Sequence, residues 1–203
     1  MIAVLLNKQD FEYDVHSLIR AFYPGVDVHI FYEETEIKEA YEKKFVIFYE
    51  QDKIKITIFD EAGQNLMQDQ IEVAYYADRK ETKNHLKQLL YRMISQMKQE
   101  TLPWGTLTGI RPTKIPMALL EQGKKNSEIA QYMRDTYYIS KEKTALSIAI
   151  ANKERHILHD LDYQKGYSLY IGIPFCPSIC LYCSFSSSPI SVWKNKVDDY
   201  LDA

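Results

Sequence analysis

The chain is predicted to be α/β: an α+β domain over residues 1–100, a mostly helical connector over 101–166, and a strand-then-helix unit over 167–203. Three observations predict it. Short apolar runs alternate with turn signals in the first part of the chain. Apolar residues at three- and four-residue spacing then dominate the middle. Gly166 finally breaks the chain ahead of a β-rich run.

Each element has its own justification. Residues 2–6 are a short apolar strand, and residues 10–22 a helix with Phe11, Val15, Leu18, Ile19 and Phe22 on one stripe. Pro24-Gly25 stops that helix before a strand over 26–32. Strands over 45–49 and 54–59 flank Gln51-Asp52-Lys53, a tight hairpin turn. Glu61-Ala62-Gly63 is a second turn, ahead of a strand over 70–76. A long helix over 82–99 carries Leu86, Leu89, Leu90, Met93, Ile94 and Met97 at helical spacing. The expected arrangement is a sheet with helices on one face.

In the connector, Pro116 suits a first helical turn and Gly123 a C-terminal cap. Ile129 and Met133 mark a second helix. Ser140 can cap a third, running to about Leu161 with Leu146, Ile150, Ile157 and Leu161 inward. Residues 167–173 read as a strand, and Ser191 as the cap of a last helix carrying Val192, Val197, Tyr200 and Leu201. Ahead of these helices, 102–114 reads Leu-Pro-Trp-Gly-Thr-Leu-Thr-Gly-Ile-Arg-Pro-Thr-Lys. Two cations without acids could make an anion-binding turn there, although no phosphate-loop signature is present. A buried connector whose Trp packs between domains is the favoured reading, since Gly and Pro are turn signals first.

Composition narrows the function. At 203 residues with 46% hydrophobic and 26% charged side chains, the chain can bury a core. Its net charge is −3, and the first hundred residues carry −5. That argues against a generally basic nucleic-acid or membrane binder, although the stretch from Arg111 to Lys125 is locally basic. No apolar run approaches the roughly 18 residues of a membrane span, and the apolar start lacks the marks of a secretory signal. A cytoplasmic location is the expectation.

The three cysteines, Cys176, Cys180 and Cys183, lie within eight residues and nowhere else. An odd count packed so tightly is no disulfide framework; it suits a metal or cluster in a reducing compartment. The spacing Cys-x₃-Cys-x₂-Cys can hold three irons of a [4Fe–4S] cube and leave the fourth iron open to a small molecule. Structural zinc is an alternative, with His156 or His159 as a fourth ligand, and unrelated buried thiols are another.

With Tyr182 before the third cysteine, this loop resembles that of the radical S-adenosylmethionine (SAM) superfamily. Tyr170-Ile171-Gly172-Ile173-Pro174-Phe175-Cys176 is similar to the version in oxygen-independent coproporphyrinogen III oxidases and their haem-chaperone relatives. Together with the segment 102–114, it most resembles their HemZ-type coproporphyrinogen dehydrogenase branch. Two positions depart from the better-known pattern. Gly172 stands where those branches have His, and Phe185 where the principal oxidase branch has a fourth Cys.

The resemblance implies that Cys176, Cys180 and Cys183 ligate a [4Fe–4S] cluster and that Tyr170 and Tyr182 contact SAM. It implies oxidative decarboxylation of coproporphyrinogen III propionates to vinyl groups in haem biosynthesis, giving protoporphyrinogen IX. The electron donor would be of the flavodoxin or ferredoxin kind. A haem-chaperone-like relative, or another radical SAM enzyme with an N-terminal binding module, is the alternative. Residues 167–203 are then the start of a radical SAM domain, the first β/α unit of a truncated partial TIM-like barrel. The expectation is an N-terminal fragment, inactive alone and exposing Ile171, Ile173, Val192 and Leu201.

Overall fold

The computed structural model describes residues 1–72, 78–109, 111–162 and 165–203. It is mixed α/β and divides into two compact units, Met1–Ile157 and Leu158–Ala203.

The larger unit is built on a five-stranded mixed sheet in the order β2-β1-β3-β4-β5. The strands are β1 (Ile2–Leu6), β2 (Val28–Phe31), β3 (Lys43–Tyr49), β4 (Lys53–Asp60) and β5 (Asn65–Glu72). Helix α1 (Glu12–Phe22) crosses from β1 to β2, which run parallel. β1 is also parallel to β3, while β3, β4 and β5 follow as antiparallel hairpins. A 3₁₀ turn, Glu34–Glu36, lies in the β2–β3 connection.

Alternation explains which face is covered. Ile2, Val4 and Leu6 of β1, Phe45, Ile47 and Tyr49 of β3, and Ile54, Ile56 and Ile58 of β4 all join one buried cluster. The same cluster takes Val15, Leu18, Ile19 and Phe22 of α1 and Leu86, Leu89, Leu90, Met93 and Ile94 of α2 (Arg79–Lys98). Both helices therefore lie on one face, as expected. The Asn7 side chain ties the end of β1 to β3, donating to the Tyr49 carbonyl at 3.1 Å and accepting from its N–H at 2.8 Å.

Several boundaries differ from the sequence expectation. β5 starts at Asn65, not at residue 70, because the turn closes at once: Asp60 Oδ1 accepts the N–H groups of Ala62 and Gln64. Its start, Asn65-Leu66-Met67-Gln68-Asp69, has adjacent rather than alternating apolar residues and so does not read as a strand, yet an edge strand half in water needs no apolar alternation. Residues 73–76 of the expected strand lie outside the described residues. α2 starts at Arg79, three residues early, because Asp78 caps it by accepting from the N–H groups of Lys80 and Glu81, each at 2.9 Å.

α3 (Lys114–Glu121), α4 (Asn126–Tyr137) and α5 (Lys141–Ile157) complete the unit around a second cluster: Leu120, Ile129, Met133, Tyr137, Ile139, Ile148 and Ala151. Ser140 caps α5 as expected, its Oγ accepting from Lys143 N–H. The inward face of α5 is not the expected one. Leu146, Ile150, Ile157 and Leu161 are exposed, and the last lies beyond the helix end. Thr144, Ser147, Ile148 and Ala151 are buried instead. Small side chains let α5 approach α3 and α4 closely, which a search for the largest apolar stripe misses.

Trp104 packs half-buried against that second cluster, and Gly105 and Thr106 are buried. Leu102 N–H donates to the Tyr91 hydroxyl, Thr106 N–H to the Tyr137 carbonyl and Ser140 N–H to the Pro103 carbonyl, at 3.0, 2.8 and 3.0 Å. The segment thus fastens α2 to the end of α4. Ile110 lies outside the described residues.

Tyr23 gives one test of this core. Its hydroxyl is buried with no hydrogen-bond partner among the described residues. Burial, aided by the Glu42 charge, pushes its pKa up to about 12. A raised pKa means the fold resists ionisation, so this contribution to stability is whole below pH 10 and is lost as the pH climbs through about 12. Tyr23→Phe is expected to stabilise the unit by about 1 kcal/mol at pH 7, by removing the unpaired hydroxyl. Urea melts at neutral and alkaline pH should show the gain widening above pH 10.

In the smaller unit, the expected strand over 167–173 is irregular chain. A strand is satisfied only by a partner, and the described pairing is two residues long: β6 (Phe175–Cys176) with β7 (Ser188–Pro189), parallel. The expected last helix is two short ones, α6 (Ile190–Trp193) and α7 (Val197–Asp202). Pro189, not Ser191, holds the N-cap position of α6, since its fixed φ of −60° is already set for entry. Ile171, Ile173, Val192 and Leu201 are all at least 70% exposed, as expected.

Candidate functional site

The three cysteines occupy one loop of the Leu158–Ala203 unit, and all are free thiols. Cys176 ends β6 and is half-buried, Cys180 is exposed at the loop's far side, and Cys183 is half-buried. A turn joins the last two, with Cys183 N–H donating to the Cys180 carbonyl at 3.0 Å. Aromatic packing seats the start of the loop: Phe175 meets Tyr200 edge-on at 5.1 Å and Trp193 at 6.0 Å. The Tyr200 hydroxyl also donates to the Gly172 carbonyl at 2.9 Å.

The environment of Cys183 favours its reactive form. The Ser187 hydroxyl, 3.5 Å from Sγ, together with the Phe185 backbone, holds this thiol below its ordinary range. The thiolate is the metal-binding state of cysteine. Sequence reasoning missed Ser187, whose only signal is a hydroxyl four residues after the third cysteine. Tyr182 and Tyr170 are 89% and 82% exposed, so neither ring is spent on a core. Tyr170 instead lies beside Gly172: a Cβ at that glycine would stand 3.1 Å from its ring.

The donor set suits an iron–sulfur cluster in kind, with three free thiols on one short loop. Among the described residues, no three His, Cys, Asp or Glu side chains gather closely enough to hold a metal ion. His159 Nδ1 lies 2.8 Å from Asp160 Oδ1. No helix of the described residues is long and apolar enough to cross a membrane.

No family model matches the chain, and no solved structure matches it. Among curated proteins, the chain is similar to the oxygen-independent coproporphyrinogen-III oxidase-like protein HemZ of Bacillus subtilis (strain 168), 33% identical over 123 residues. The match covers 60% of this chain and 25% of the relative, so the chain spans about a quarter of that protein's length. Over that stretch the chain is similar to HemZ.

Proposed function

We propose that the full-length protein is a radical SAM enzyme of haem biosynthesis, which decarboxylates coproporphyrinogen III propionates oxidatively to the vinyl groups of protoporphyrinogen IX. The observation that carries this is the Cys-x₃-Cys-x₂-Cys loop with three free thiols, in a chain similar to a coproporphyrinogen-III oxidase-like protein. In this reading residues 1–100 and 101–166 precede a radical SAM domain, a partial TIM-like barrel whose first β/α unit begins at residue 167. Such barrels gather their chemistry after the C-terminal ends of their strands, and the thiol loop here runs on from the two-residue strand β6.

Cys176, Cys180 and Cys183 would hold three irons of a [4Fe–4S] cluster, leaving one iron free to bind SAM. When bound, cluster and SAM supply the one-electron chemistry that removes a hydrogen from a propionate side chain. The chain's own residues bind and orient. Ser187 favours the thiolate at Cys183, the form that ligates. Tyr182, exposed between two cysteines, offers a face to the adenine, and Tyr170 offers a second contact on the approach to the loop. Free thiols in such a cluster suit a reducing cytoplasm, where a flavodoxin- or ferredoxin-type donor would supply electrons.

The test is an anaerobic preparation of the full-length protein loaded with iron and sulfide. It should take up about four irons per chain and convert coproporphyrinogen III in a SAM-dependent reaction. Haem binding without decarboxylation would move the protein to the haem-chaperone side. Zinc uptake in place of iron would overturn the assignment altogether.

A further inference from the structure

The Met1–Ile157 unit holds a cavity of about 280 Å³ that the chemistry above does not use. Lys80, Lys83 and Lys87 line it from α2; spaced three and four residues apart, they share one helical face. Lys87 is buried at the base, its Nζ donating to Thr108 Oγ1 at 3.2 Å and lying 3.6 Å from Asp14 Oδ1. Thr108 Oγ1 is in turn 3.0 Å from Ser17 Oγ. Tyr13, Leu107 and Tyr137 supply the less polar wall.

Charge is unbalanced here. Asp14 is the one carboxylate among the lining residues, against three ammonium groups, in a chain whose first hundred residues are net negative. Among the described residues, neither Lys80 nor Lys83 has an ion-pair partner. Burial pushes the Lys87 ammonium below its ordinary range, with Asp14 opposing the shift only in part. The loop Thr106–Gly109 that closes the cavity belongs to the same glycine- and threonine-rich segment whose sequence allowed an anion-binding turn.

We propose that this cavity binds a small phosphorylated molecule, its phosphate held by Lys80, Lys83 and Lys87 with the Thr108 hydroxyl, and its flat or apolar body against Tyr13, Leu107 and Tyr137. Phosphate is preferred over carboxylate because no arginine lines the site. The planar guanidinium fork is the usual partner of a carboxylate, whereas lysine serves phosphate as a compact point charge. The volume lies at the small end of ligand pockets and suits a nucleoside monophosphate better than a macrocycle. The inference uses no cysteine, so it stands or falls apart from the radical SAM reading.

The test is isothermal titration calorimetry on the full-length protein with AMP, inorganic phosphate, adenosine and acetate. AMP should bind saturably, phosphate more weakly, and adenosine and acetate not at all. The double variant Lys80→Ala/Lys83→Ala should weaken AMP binding at least about tenfold with its melting temperature nearly unchanged. Thr108→Val should weaken both AMP and phosphate while leaving α2 intact. Absence of AMP binding up to about 10 mM, or equal binding by the double variant, would overturn the proposal. So would binding of a 5′-phosphorylated oligonucleotide in the absence of AMP binding, which would point to nucleic acid instead.

Discussion

Any single change Cys176→Ala, Cys180→Ala or Cys183→Ala in the full-length protein is expected to abolish stable iron uptake and reduce SAM cleavage to background. With three thiolates for a four-iron cube there is no spare ligand, and no histidine of the described residues is gathered to replace one. Outer partners of metal ligands already cost about 10–100-fold when removed, so loss of a ligand should exceed about 100-fold. Iron analysis and the visible absorption of anaerobically loaded protein read the effect directly. Ser187→Ala is the graded control. It removes the hydroxyl that lowers the Cys183 thiol but leaves all three sulfurs, so loading should shift to higher pH rather than vanish. The unit Met1–Ile157 should melt unchanged in every one of these variants, because none of its residues is altered. Full iron content in any single cysteine variant would remove the basis of the proposed function.

Gly105→Ala is expected to be the most damaging single methyl in the larger unit, costing at least about 3 kcal/mol. Gly105 has φ +55°, and a Cβ there would lie 1.9 Å from the Tyr137 carbonyl oxygen and 2.5 Å from the Tyr138 carbonyl carbon. Neither neighbour is the far end of a flexible side chain. The backbone must separate, and the Thr106 N–H to Tyr137 carbonyl bond goes with it. Gly63→Ala separates conformation from collision. Gly63 also has positive φ, +78°, but nothing lies within 4 Å of its Cβ position, so about 1–2 kcal/mol of backbone strain is the whole expected cost. Denaturant melts of the two variants should differ clearly, with a fall in melting temperature of roughly 6–12 °C for Gly105→Ala. Equal effects would mean that the loop holding α2 to α4 yields more easily than its hydrogen bonds suggest.

The parts of the fold legible in the sequence are those whose burial is strong and one-sided. The stripe from Phe11 to Phe22 and the run Ile54, Ile56, Ile58 each point to one face, and the cluster they enter follows from that. What escaped is structure specified by polar or small groups. Asn65 to Asp69 pair as an edge strand without apolar alternation, and Asp78, followed three residues later by Glu81, is a helix-start signal that outweighs the later onset of hydrophobic spacing. On α5, Ser147 and Ala151 pack inward because they are small, leaving Leu146 and Ile150 in solvent. At the thiol loop the donor atoms and their spacing were legible, since ligand chemistry is local to eight residues. Their spatial arrangement was not, because it depends on contacts such as Ser187 with Cys183 and Tyr200 with Phe175.

The short pairing of Phe175–Cys176 with Ser188–Pro189 makes the thiol segment a noose rather than an open tail. Drawing a free chain into a ring costs entropy before any bond is made to a metal, and here the ends already meet. Cys176 lies in the clasp itself, so the first sulfur is anchored while the other two ride on the free arc. Gathering all three is then a local tightening of that arc, and anything that opens the clasp at Pro189 releases a ligand along with the loop.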